Sequence, residues 1–539
     1  MKTTILDPKS IGVIFILLYL AFFGLYKLDE LPGLHVDEAF FGIKGNLYNQ
    51  EGIKEAFGMT AYTGILQSLL SAIMFKLFGL GVFQLRIAGV LLNLLALSLL
   101  TLNLIKRKRS QMAVVFLLFI LQAGTLILFP RVAWEVNTFT LLFIILIMLA
   151  ALPILTTSNF KILPTFTFML INLVGTYNHI LFSSLSLSML IGMATWIYYN
   201  RDKKYADIFT MLFINAVNIL AFEALLYLAR KLHIGTQPIF TGFLFFTGVV
   251  LIQAVYIKNL IRLAAPVVRW IFSIKFPGWS VQVFLFVCLL AFFVFHGRNL
   301  INVASNQTII VNLFSERLSE LLTIILFTCA IIIVLSFASF LILDVFGKAK
   351  SLWGTILVTY LGVFNIYTTS LSLRYYLTLS FFICCFMAYE ITKRGLHQYF
   401  SRVILTAVII SGVITNITVW NIYRNPDRKL VAMLFNLDDK TIDTSAHFLP
   451  TKPLMDFIRK NQIGNFVFLG DEICISRPSS FYKLEEGWVE NPGRTAIIGY
   501  DYTNLGTGFI MKLKPLSAIK ISKVSRKSNL GKLTPGHFR

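Results

Sequence analysis

Long apolar runs recur from one end of this chain to beyond residue 420, and nothing else limits its fold as strongly. The runs are 17 to 24 residues long. A helix of about 20 residues crosses a hydrocarbon core of about 30 Å, so each run is a candidate membrane span. A closed β-barrel would instead show alternating segments of about 10 residues, and these are missing. Only 14% of residues are charged and 57% are apolar, whereas a soluble domain is about a quarter charged. The fold class expected is an all-α polytopic membrane protein.

Thirteen spans are expected, at 11–28, 87–105, 112–129, 137–155, 161–178, 181–199, 207–229, 238–257, 280–297, 321–344, 352–369, 375–391 and 403–421. The first run is read as a retained anchor, because no small-x-small cleavage site follows it. The apolar piece 62–80 is assigned to a juxtamembrane helix within a first outer loop, 29–86. If it crossed, every later loop would change sides. The basic clusters IKRKRS, NRDKK and ITKRG (Ile105–Ser110, Asn200–Lys204, Ile391–Gly395) would then face outward, against the positive-inside rule. The N-terminus is therefore expected in the cytoplasm, and Asp37, Glu38 and the C-terminal region outside. The net charge of +22 falls mostly in these short loops, which makes it a topology signal and excludes nucleic acid as the partner. Four of the five cysteines lie in apolar runs, so no disulfide framework is supported. CxxC and HExxH motifs are absent, as is an internal repeat of the transporter kind.

Two domains are expected: 1–421, the membrane domain, and 422–539, a small α/β domain outside the membrane. In the second, Thr451 and Pro453 read as a helix start and Gly464 as its stop. NFVFLG, TAIIGY and GFIMKL (Asn465–Gly470, Thr495–Tyr500, Gly508–Leu513) read as buried strands. The tail after Asp501 is basic, and its reading is a solvated segment rather than an anionic-lipid site.

Chemistry-bearing residues gather on the face assigned to the outside. Asp37 and Glu38 lie in GLHVDEAFFG (Gly33–Gly42), among apolar neighbours. They are either solvated loop acids or a general base that accepts a proton from an alcohol at a membrane cleft. Arg86, Arg131 and Arg374, with Tyr375 beside the last, are either interfacial snorkelling side chains or the ligands of a phosphate, which guanidinium groups bind bidentately. Glu135 could be a second acid or pair with Arg131. His179 falls at a turn between two spans, and with Asp37 and Glu38 it could hold a divalent metal ion. Glu223 is intramembrane, which makes it a functional candidate by default.

The segment from Leu34 to Leu95 resembles the GT-C superfamily of polytopic glycosyltransferases, with the protein O-mannosyltransferases and lipid A aminoarabinose transferases as the nearest groups. The matching pieces are GLHVDEAFFG, LQSLLSAIMFKLFGLGVFQLRIAG (Leu66–Gly89), PRVAWEVN (Pro130–Asn137) and LRYYLTLSFF (Leu373–Phe382). The resemblance implies a polyprenyl-phosphate sugar donor, an external hydroxyl acceptor in the form of a protein, lipid or glycan, and membrane lipids as surroundings. It implies Asp37 as base, Glu38 as its orienting partner, and Arg131 and Arg374 on the lipid phosphate. It also implies a cell-envelope setting, a bacterial or archaeal plasma membrane. Two departures stand out: TGIL (Thr63–Leu66) replaces a Lys-Pro-Pro-Leu-like start to the juxtamembrane helix, and Glu135 stands where an Asp is usual one position later. Two other readings remain: a transporter or lipid flippase, and a non-catalytic relative that acts as an assembly partner.

Overall fold

The structure, a computed structural model, describes residues 8–59, 62–157, 160–200, 206–232, 236–263, 266, 278–314, 318–347, 350–365 and 373–424. In the C-terminal region it describes 463–469, 473–485, 494–501 and 510–515. Among the described residues, the elements of the membrane part are helices. They run α1 (Pro8–Leu25), α2 (Val36–Glu51), α3 (Leu66–Phe78), α4 (Val82–Lys106), α5 (Ser110–Gln122), α6 (Gly124–Leu128), the 3-10 turn η1 (Phe129–Arg131) and α7 (Glu135–Thr157). Next come α8 (Ile162–Asn178), α9 (Ile180–Asn200), α10 (Ala206–Lys231), α11 (Thr236–Val255) and the short α12 (Ile257–Leu263). The series closes with α13 (Gly278–Ala304), α14 (Gln307–Phe314), α15 (Glu320–Phe346), α16 (Leu352–Phe364), the 3-10 turn η2 (Leu373–Tyr375), α17 (Tyr376–Arg394) and α18 (Tyr399–Arg424).

Among the described residues, nine helices are long and apolar enough to cross a membrane, or eleven when two bent pairs each count as one span. This is an integral, multi-pass membrane protein. Thirteen spans were expected, and each expected segment overlaps a helix; the difference lies in α8, with 17 residues, and α16, with 13. At 1.5 Å per residue, α16 covers about 20 Å, short of a full crossing. Residues 366–369 of that expected span lie outside the described residues.

Lipid sets the rules for the packing. Large apolar side chains such as Phe15, Leu18, Leu244 and Val294 point outward, while polar side chains turn inward to partners. With no water in the hydrocarbon core, every backbone group needs an internal partner. The 84° bend between α5 and α6 shows how this is met. Asn306 accepts from the Gly124 amide through Oδ1 at 2.8 Å and donates through Nδ2 to the Gln122 carbonyl at 2.6 Å. Its Nδ2 also reaches Thr415 Oγ1 at 2.9 Å, which ties the bend to α18. Close packing uses small residues, as is usual between membrane helices. A Cβ on Gly192 of α9 would come within 2.5 Å of the Ile356 Cα in α16.

Asp37 and Glu38 were expected in a loop; they occupy the first turn of α2, a 16-residue helix. The cause is local. His35 caps the helix, its Nδ1 accepting from the Asp37 amide, while Glu38 accepts from the His35 amide. That reciprocal pair is a capping box with histidine in the usual Ser/Thr place. Negative charge in a first turn also suits the helix dipole. The expected juxtamembrane helix 62–80 is α3, somewhat shorter.

In the C-terminal region, β1 (Ile463–Leu469), β2 (Arg494–Asp501) and β3 (Ile510–Pro515) form one sheet in that order. β1 and β2 run parallel, β2 and β3 antiparallel. A parallel pair needs a crossover, and the helix α19 (Ile473–Glu485) supplies it. Gly464, expected to stop a helix, lies inside β1; the expected helix start at Thr451 and Pro453 and, apart from β3, the basic tail after Asp501 lie outside the described residues. Helix α19 packs on α2, with Phe481 fully buried against Gly42 and Phe75.

Candidate functional site

At one end of the bundle, the α1–α2 link meets the starts of α4, α7 and α17. Its charged residues sort into two kinds. Glu38 and Arg86 are fully buried and form a bidentate pair, Nε to Oε1 and Nη2 to Oε2, both at 2.8 Å. Glu38 also accepts from the His35 amide at 2.9 Å and from the Ala133 amide at 2.7 Å. Its four hydrogen bonds use up both oxygens. Arg86 spends its remaining donors on the carbonyls of Leu28, Pro32 and Gly33. The pair therefore pins the α1–α2 link to α4 and to the segment before α7.

Arg131 behaves similarly. It is fully buried, and its two Nη groups donate to five carbonyls, those of Phe23, Gly24, Tyr26, Lys27 and Leu31. Its guanidinium also lies over the Tyr423 ring, 4.6 Å from the centroid. The terminal carbonyls of a helix need donors when no water reaches them, and Arg131 supplies them for α1. The sequence reading placed Arg86 and Arg131 among the substrate-binding residues, and the resemblance put Arg131 on the lipid phosphate. In this structure the Nη donors of both serve the protein backbone, while Arg131 Nε has no partner among the described residues.

Asp37 and Arg374 differ. Arg374 in η2 donates through Nη1 to Asp37 Oδ2 at 3.1 Å, and the two side chains keep 16% and 12% of their surface. Arg374 stands over Trp134 and Tyr375, 5.3 and 5.4 Å from the ring centroids, and its Nε has no hydrogen-bond partner among the described residues. Trp134 in turn donates to His35 Nδ1 at 3.0 Å. His35 and Trp134 thus brace the Asp37–Arg374 pair, and neither was singled out from the sequence. A signal was present: the spacing from His35 to Glu38 is that of a capping box, and Trp134 lies within PRVAWEVN.

Glu135 and His179 face each other a short way off. Both are almost fully buried, with His179 Nε2 3.6 Å from Glu135 Oε1. Glu135 does not pair with Arg131. His179 lies between α8 and α9, held by an antiparallel bridge to Thr63. Its pKa is pushed down to about 3, first by burial and then by the positive charges of Arg374 and Arg230, so the imidazole is neutral. His179 and Tyr375 line a narrow cleft together with Thr140, Tyr360, Phe364 and Thr378. Glu223 pairs with Arg230 at 3.3 Å, near the end of α10. Among the described residues, no group of three or more His, Cys, Asp or Glu is placed to hold a metal ion. Both oxygens of Glu38 are engaged in hydrogen bonds.

The fold and this site define a multi-pass helical membrane protein with a partly open carboxylate–guanidinium pair beside a cleft at one end of the bundle. No protein-family model and no curated protein matches the sequence. Among solved structures, the chain is similar to ArnT from Cupriavidus metallidurans bound to undecaprenyl phosphate, at 10% identity and a TM-score of 0.37, covering 92% of this chain and 93% of that one. It is similar to the apo state of the same protein at 9% identity and a TM-score of 0.35, covering 91% and 93%. Residue roles rest on the geometry of this chain.

Proposed function

We propose that this protein is an integral-membrane glycosyltransferase that moves a sugar from a polyprenyl-phosphate carrier to a hydroxyl acceptor on the outer side of the membrane. The N-terminus would face the cytoplasm and the C-terminal domain the outside, in a bacterial or archaeal plasma membrane, as the loop charges favour. The observation that carries the reading is the Asp37–Arg374 pair: a carboxylate with some exposure, opposite a guanidinium with an unused Nε, at the end of an apolar bundle. Asp37 takes the acceptor proton as the acceptor oxygen attacks the anomeric carbon, and the carrier phosphate leaves. Arg374 neutralises the charge that develops on that phosphate, and Tyr375 and Trp134 hold the guanidinium in place. Glu38 acts at one remove, by fixing the first turn of α2 and so the position of Asp37. No step of this scheme needs a metal ion.

Asp37→Asn should abolish transfer while the protein still folds and binds the carrier lipid. Full transfer of labelled sugar by that variant in nanodiscs would end the base assignment. A transporter reading has one observation in its favour, the two sharply bent span pairs. At the α5–α6 bend, however, the groups supplied are Asn306 and Thr415, which carry no charge to couple to an ion. Donor-independent solute or lipid movement in proteoliposomes would decide for it.

A further inference from the structure

The gap between Glu135 and His179 is built in a way that specifies what fills it. His179 Nδ1 accepts from the Leu181 amide at 3.0 Å, so the neutral ring carries its proton on Nε2. That N–H has no partner among the described residues, and neither has Glu135 Oε2. The separation of 3.6 Å between Nε2 and Oε1 is too long for a hydrogen bond. A donor and an acceptor are thus left unmade side by side, and each costs about 1–3 kcal/mol when buried without a partner. The backbone keeps them apart. Asn178 Nδ2 donates to the Glu135 carbonyl at 3.0 Å, and the Thr63 bridge fixes His179.

A hydroxyl suits this gap because it both accepts and donates: it takes the Nε2 proton and gives its own to the carboxylate. An ammonium cannot accept from the imidazole N–H, and a second carboxylate would oppose Glu135. The adjoining cleft has aromatic walls, Tyr360, Phe364 and Tyr375, side chains of the amphipathic kind that carbohydrate faces pack on. We propose that Glu135 and His179 form a hydroxyl-recognition pair that selects a neutral, hydroxyl-bearing sugar over amino and acidic sugars. This rests on the donor class proposed above and adds which sugars that donor carries.

The test measures binding to the purified full-length protein in detergent. The probes are bare polyprenyl phosphate and the same carrier bearing a neutral hexose, an amino sugar or a uronic acid. For the wild type, the hexose should improve Kd at least about tenfold over the bare carrier, and the other two sugars by less. His179→Phe and Glu135→Gln should cut the hexose gain to about threefold or less and leave the bare carrier's Kd unchanged. His179→Gln, which keeps an N–H donor, should retain most of the gain. One member of a monodeoxy-hexose series should bind the wild type as weakly as the bare carrier, a result that needs no variant to fold. The proposal is overturned if the hexose gain survives both substitutions, if no monodeoxy probe loses it, or if a charged sugar binds best. A wild type that fails to bind even the bare carrier refutes the donor class itself, which is a different and recognisable result.

Discussion

Adjacent carboxylates in one helical turn should fail in opposite ways. Glu38 accepts four hydrogen bonds, two from Arg86 and one each from the amides of His35 and Ala133. Glu38→Gln puts an NH₂ where one oxygen was. In either orientation of the amide, that group meets two donors: Arg86 Nη2 and the His35 amide, or Arg86 Nε and the Ala133 amide. Two hydrogen bonds are lost, and a fully buried guanidinium loses its counter-charge. Removing one partner of a buried ion pair costs about 3–5 kcal/mol. At about 2 °C per kcal/mol for a large chain, the melting temperature in detergent should fall by roughly 6–10 °C. Asp37 keeps some exposure in its pair with Arg374 and has no bidentate arginine of its own, so Asp37→Asn, which keeps one oxygen acceptor, should cost less than Glu38→Gln and melt clearly above it, while transfer disappears. Glu38→Leu combined with Arg86→Met should recover only part of the loss, since the carbonyls of Leu28, Pro32 and Gly33 would still lack a donor. The reasoning is refuted if Glu38→Gln melts with the wild type, or if Asp37→Asn melts as low as Glu38→Gln.

Three further outcomes follow from the same geometry. Arg131→Met should destabilise by at least about 3 kcal/mol, because five carbonyls lose their donor, yet the folded fraction should bind bare polyprenyl phosphate with unchanged Kd; a tenfold weaker Kd would return Arg131 to the phosphate. Gly42→Ala should loosen α19 from α2, since a Cβ there would lie 2.5 Å from the Phe481 ring; overpacking of this kind costs about 1–3 kcal/mol, and faster protease cleavage or amide exchange in α19 reads it. His179 has a folded pKa of about 3, below its unfolded value of 6.5, so the unfolded chain binds more protons between those values. Its contribution is full above about pH 6.5 and is lost as pH falls toward 3, amounting to about 2 kcal/mol between pH 6.5 and 4.5. The melting temperature of His179→Gln should therefore fall less over that interval than the wild type's, and parallel curves would count against the buried neutral imidazole.

Hydrophobic length was enough to place a helix at each of the thirteen expected segments, because in lipid a long apolar run has no other way to satisfy its backbone. It could not show that α16 is short or that α5 breaks at Gln122, since both depend on neighbours: Asn306 makes the break tolerable, and Asn306 is far along the chain. Asp37 and Glu38 were visible as a pair, but not as a helix start. The capping residue is a histidine, whose ring nitrogen does what Ser or Thr usually does. The partnership of Arg374 with Asp37 was legible only as co-location on one face. His35 and Trp134, which hold that pair, gave no signal strong enough to single them out.

The arginines show why residue type and side of the membrane were insufficient. Arg86 lies in the first turns of α4, Arg131 just before α7, and Arg374 just before α17. Helix starts present N–H groups, which are donors themselves, so each guanidinium has to find acceptors elsewhere. The richest supply nearby is the end of α1, where carbonyls from Phe23 to Gly33 have run out of helix. Arg86 and Arg131 take eight of these carbonyls between them, three and five respectively. Arg374, bonded to the Asp37 carboxylate, keeps an Nε without a partner. Arg131 Nε is also without a partner among the described residues, but that side chain is fully buried, whereas Arg374 keeps 16% of its surface. Which guanidinium stays open to a ligand is thus decided by where α1 ends, a tertiary fact that no local motif carries.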